Sequence, residues 1–171
     1  EGWFVDGDLL ENKAYLTYVV SSQMLAHWIF NEMDIANVQG ADMLRYALPQ
    51  CIALQIVKEQ LGAEAVQHLI TKKQGLYFRD RGNEPNQEPP LLYADGIDYL
   101  EPNKGTLALY DLSKKLGFEV FNKILLDWTL NRKKGNATFS DLYYWIIDSL
   151  EFHQLKEEEK ETVKTNFTKV E

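Results

Sequence analysis

The chain has 171 residues, 45% of them hydrophobic and 12% aromatic, the make-up of one globular domain able to bury about 70% of its unfolded surface. A formal net charge of −8 disfavours nucleic acid, whose phosphates need a basic surface, and Arg132, Lys133 and Lys134 read as a solvated loop. One cysteine, Cys51, excludes an internal disulfide and a cysteine-based zinc cluster, and its neighbours Ile52, Ala53 and Leu54 make it a buried thiol.

In chain order, residues 1–9 alternate apolar positions at Trp3 and Val5 with a turn at Asp6-Gly7-Asp8, as a strand end or loop does. The opening Glu1-Gly2-Trp3 lacks an initiator Met and a basic leader, and reads as an excised fragment or processed product. From Lys13 to Asn31, Leu16, Val19, Val20, Met24, Leu25, Trp28 and Ile29 predict a helix with a wide buried stripe. A second helix is expected over 40–60, burying Met43, Leu44, Ala47, Leu48, Cys51, Leu54 and Val57, with Pro49 as a kink or in the first turn. Gly62 closes it, and a third helix runs through about Lys73.

Asp80–Asp98 holds Gly82, Pro85, Pro89, Pro90 and Gly96, and reads as a long ordered loop or lid. Helices follow over Asn103–Leu116 and Glu119–Leu130. After the turn Lys134-Gly135-Asn136, Thr138 with Asp141 makes a helix-start capping pattern for Ser140–Leu150. Residues 156–171 form a charged helical tail behind a domain over 1–155. Leu61-Gly62-x-Glu64-x-Val66 is echoed by Leu116-Gly117-x-Glu119-x-Phe121, two helix junctions of one kind. No apolar run approaches the roughly 20 residues of a membrane helix.

Three segments carry a resemblance. Val19–Leu54 includes Ala26-His27-Trp28, Asn37-Val38-Gln39-Gly40-Ala41, Met43-Leu44 and Ala53-Leu54. Tyr77–Pro90 includes Arg79-x-Arg81-Gly82 and Glu88-Pro89-Pro90, and Tyr99–Tyr110 reads YLEPNKGTLALY. Together they resemble the catalytic domain of aminopeptidase-N-like zinc metallopeptidases, the gluzincins, of the bacterial type associated with ABC permeases. The resemblance covers about residues 3–150. It implies a mainly α fold, the helical C-terminal part of a thermolysin-like catalytic domain, with helix hairpins around a cleft.

The active groups of that family do not carry over. Its first histidine falls on Ser22, its general-base glutamate on Gln23 and its second histidine on Ala26. Its third ligand falls on Tyr46 and its transition-state tyrosine on Pro102. Sliding the register by one restores a single imidazole, His27, and leaves Gln23 and Met24 beside it. One imidazole does not make the three-ligand site that zinc hydrolysis requires, and an amide is not a base.

The expectation is therefore a non-catalytic pseudopeptidase module without bound cofactor, where active relatives carry zinc. It would bind a peptide or protein, with contacts at Ser22, Gln23, Tyr46, Tyr99, Asn103 and Lys104. The alternatives are an active zinc aminopeptidase with non-standard ligands, and a structural spacer in a membrane transport protein. The resemblance implies a larger parent chain and an extracytoplasmic place beside a membrane. Elsewhere, His27, His68 and His153 are scattered, and Asp6/Asp8 and Asp95/Asp98 sit in turns, where aspartate serves backbone hydrogen bonding. Phe121, Trp128, Tyr143, Tyr144 and Trp145 read as packing between helices.

Overall fold

The computed structural model describes residues 10–132, 136–152, 165, 167 and 168. The strand end or loop expected at 1–9, Lys133, Lys134, Gly135, His153 and most of the charged tail lie outside them. The described residues are mainly helical: α1 (Leu10–Glu32), α2 (Leu48–Leu61), α3 (Ala63–Arg81), α4 (Thr106–Leu116), α5 (Phe118–Arg132) and α6 (Phe139–Phe152). No extended strand occurs among them; one isolated parallel bridge joins Ile35 to Ala137. No helix is long and apolar enough to cross a membrane among the described residues.

Helix α2 is the hub, packed against α1, α3 and α4. Its first three turns are mostly buried, and its exposed residues, Glu59 and Gln60, fall in the last turn. Met43, Leu44, Ala47, Leu48, Cys51, Leu54 and Val57 are all buried, as their spacing predicts. Pro49 sits in the first turn of α2, directly after the π turn Met43–Ala47, whose backbone is already helical. Gly62 and Gly117 both take a positive φ, 91° and 83°, and each carbonyl accepts from the amide four residues on, of Val66 and Phe121 respectively. The two sequence echoes are thus the same helix-to-helix corner.

Helix α1 departs from expectation. Leu16, Val20, Met24 and Trp28 are exposed, while Ala14, Ser22 and Ile29 are buried, with Tyr18 and Leu25 half-buried beside them. The row 14-18-22-25-29 follows the helical repeat and lies against α2. The larger side chains of the row 16-20-24-28 fall on the opposite side. Small and polar groups on the inner row let α1 approach α2 closely.

Two π-helical turns, Met43–Ala47 before α2 and Leu100–Gly105 before α4, pack on each other. Gly105 makes that contact possible: a Cβ there would stand 2.6 Å from Met43 Sδ and 3.3 Å from Ala47 Cβ. The connection from Gly82 to Tyr99 is pinned by buried Glu88. Tyr77 Oη and Lys104 Nζ each donate to its Oε2 at 3.0 Å. Arg81 Nε stands 3.5 Å from Oε1, an electrostatic contact too long to count as a hydrogen bond.

Helix α6 starts as its capping pattern predicts, with the Asp141 amide donating to Thr138 Oγ1 at 3.0 Å. Phe167, in the expected tail, is buried with its ring 5.9 Å from Phe139 and 6.2 Å from Tyr143. Phe121, Trp128 and Tyr143 are buried between helices, whereas Tyr144 is exposed.

Candidate functional site

Ser22, Gln23 and Ala26 occupy one side of α1 facing the first π turn and the start of α2. With Arg45, Tyr46, Pro49 and Gln50 they line a depression of about 120 Å³. Tyr46, 51% exposed, also walls a second depression of about 320 Å³. That one is lined by Asp42, Gly96, Ile97, Asp98, Glu101 and Pro102. The π turns therefore border both depressions, one through Arg45 and Tyr46 and the other through Glu101 and Pro102.

A polar cluster stands behind the wall between them. Gln50 Oε1 accepts from Lys73 Nζ at 2.6 Å and Tyr18 Oη at 2.7 Å, with Thr106 Oγ1 at the outer limit, 3.4 Å. Lys73 Nζ also donates to the Pro102 carbonyl at 2.6 Å. Burial drives the Lys73 ammonium down from 10.5 to about 7, and no carboxylate among the described residues offsets it. Burial likewise pushes the Tyr18 phenol well above its usual range.

The acidic depression has its own tension. Glu101 is 1% exposed, and burial raises its carboxyl above the ordinary value, helped by neighbouring Asp42 and opposed by backbone amides. One of those amides, Ile97 N, donates to its Oε1 at 3.3 Å. Asp42 pairs with Arg45 at 3.3 Å, so the ion pair lies along the boundary of the two depressions. Cys51 is buried close by in sequence, its thiol pushed up to about 12 by burial, which makes it a packing group.

The structure brings Ser22, Gln23, Ala26 and Tyr46 together and places Pro102 next door. Tyr99, Asn103 and Lys104 line neither depression. Asn103 Nδ2 donates to the Tyr99 carbonyl at 3.0 Å, the Tyr99 ring lies 6.2 Å from Tyr77, and Lys104 holds Glu88. The side chains at the positions that the resemblance assigns to zinc end in a hydroxyl, a methyl and a phenol. They do not fit a metal that takes imidazole, thiolate and carboxylate. Among the described residues no three His, Cys, Asp or Glu side chains cluster as a metal site.

No family model, curated protein or solved structure matches this chain.

Gln50, Lys73, Arg45 and Glu101 are site residues that the sequence reading missed. For Lys73 a signal exists: it follows Val66 and Leu69 at helical spacing, so it falls on the buried face of α3. Gln50 is one of five polar residues on α2, with Gln55, Lys58, Glu59 and Gln60. Nothing in its spacing announces that three donors converge on it.

Proposed function

We propose that this chain is a metallopeptidase-like module that has lost its zinc ligands and general base, and that it binds a peptide without cleaving it. The observation that carries the reading is the meeting of Ser22, Gln23, Ala26 and Tyr46 around one depression, although they come from two distant stretches of sequence. These are the positions where the resemblance places a gluzincin's reactive groups. Helix packing has kept them in one place while their chemistry has changed to hydroxyl, amide, methyl and phenol.

Binding fits better than a spacer role because both depressions are open and Tyr46 is half-exposed between them. A filled cleft would bury that ring. The resemblance also implies a parent chain with a membrane transport part, beside which this domain would sit. Incubation with a fluorogenic tripeptide library tests the non-catalytic reading: no turnover above buffer is expected. Cleavage that disappears in Gln23→Ala would establish an enzyme instead. Binding is tested by titrating the same peptides without cleavage readout, where Tyr46→Ala is expected to weaken whatever binds.

A further inference from the structure

Helix α1 turns large apolar side chains to water. Leu16, Val20, Met24 and Trp28 follow one another at intervals of four, each about half-exposed, with Met24 the most open at 68%. Apolar residues scattered singly over a surface are ordinary, but four in one continuous row on a long helix mark a contact surface.

Charge says what the row fits. Residues 14–31 contain no Asp, Glu, Lys or Arg, the longest such run in a chain whose net charge is −8. Gln23, His27 and Asn31 are the exposed residues running beside the row. Two acidic copies of this chain repel one another in general, and along this stretch they meet without bringing like charges together. A lipid surface fits worse: an interfacial helix carries Lys and Arg beside its apolar stripe, and anionic headgroups repel an acidic chain. The row is also complementary to itself. Rows at i, i+4 on two helices interlock when the axes cross at about 50°. In an antiparallel pair with its two-fold axis midway between Val20 and Met24, Val20 meets the partner's Met24 and Leu16 meets the partner's Trp28, a smaller side chain against a larger one. The next positions along the row, Asn12 and Glu32, then oppose each other, whereas a parallel pair would set one Glu32 against the other.

We infer that two copies of this chain associate through α1, antiparallel, with Leu16, Val20, Met24 and Trp28 of each interlocked with those of the other. Four half-exposed side chains offer on the order of 400 Å² per copy, about half of the roughly 800 Å² that a standard interface buries on each partner. The dimer is therefore a weak one, dissociating between about 10 μM and about 1 mM.

Sedimentation velocity of the full chain tests it over that concentration range, where the mass should rise from 19.8 kDa toward twice that value. Added salt should tighten the dimer, since it screens the repulsion between acidic copies and leaves the apolar row intact. Val20→Glu and Met24→Glu, both at exposed positions outside the core, should each weaken it at least roughly tenfold by setting a charge against apolar surface. Leu126→Glu, at an exposed position of α5, should leave it unchanged. Air oxidation of an equimolar mixture of Val20→Cys and Met24→Cys chains reads the register: the mixed disulfide should form in preference to either like pair.

A monomer at every concentration would overturn the inference, whether the row is bare or covered by another part of the chain. A dimer indifferent to both glutamate substitutions would lie on another surface and overturn it equally. A dimer that weakens with them but crosslinks like to like would be a parallel pair, contrary to the arrangement inferred.

Discussion

Lys73 on α3 donates to the side-chain carbonyl of Gln50 on α2 at 2.6 Å, with no carboxylate opposite its ammonium among the described residues. A cation held by two neutral oxygens, Gln50 Oε1 and the Pro102 carbonyl, is an uncommon choice for a core. It joins α2, α3 and the second π turn at the back of the candidate site.

That cation makes stability depend on pH in a definite direction. The folded value of Lys73 is lowered from 10.5 to about 7, so above pH 7 the unfolded chain binds the extra proton. Stability contributed by this group therefore rises with pH, by up to about 1.4 kcal/mol per pH unit. The useful window is pH 7 to 9, because Tyr18 and Cys51, whose folded values are raised, act with the opposite sign at higher pH. Urea unfolding across that window should show the rise in the parent chain and not in Lys73→Met.

Glu101 gives the complementary result. Its folded value is raised from 4.5, so the ionised form costs stability at neutral pH, and that cost disappears as pH falls through the folded value. Glu101→Gln, which keeps an oxygen for the Ile97 amide, should raise the thermal midpoint at pH 7. The advantage should vanish below pH 4.5, where both side chains are neutral.

Gly105→Ala should destabilise the fold by about 1–3 kcal/mol, as overpacking does. The new methyl would meet Met43 Sδ, itself fully buried, and Ala47 Cβ, which has nowhere to rotate. A drop in the urea midpoint with an unchanged slope would show that the π-turn contact, and not the compactness of either state, has changed.

Glu88→Gln removes the buried carboxylate that faces Lys104 and Arg81 and should cost about 3 kcal/mol, the lower end for a broken buried pair, since both cations keep some solvent contact. Limited proteolysis should then cut within 82–99 faster than in the parent chain, because the loop loses its anchor.

Much of this arrangement could be read from the sequence where periodicity and chemistry agreed. Helix α2 was legible because every apolar position at helical spacing has a neighbour to pack on, and Thr138 announced α6 through its hydroxyl three residues before Asp141. Helix α1 carries two apolar rows. Periodicity alone does not say which one faces the core, and the row with the larger residues is the exposed one. Third-helix length was misjudged at Lys73, because a lysine looks like an end signal when it is in fact buried mid-helix. At the site, Ser22, Gln23 and Tyr46 came from aligned position. The Gln50 hub depends on side chains from α1, α2, α3 and α4 converging in space, and sequence spacing does not encode that convergence.

We propose that the cleft remains while the zinc chemistry is gone. Zinc content by elemental mass spectrometry, after incubation with excess zinc and desalting, tests it most directly. Well under one zinc per chain is expected, unchanged in His27→Ala. One zinc retained per chain and lost on His27→Ala would contradict the account and restore a metallopeptidase reading.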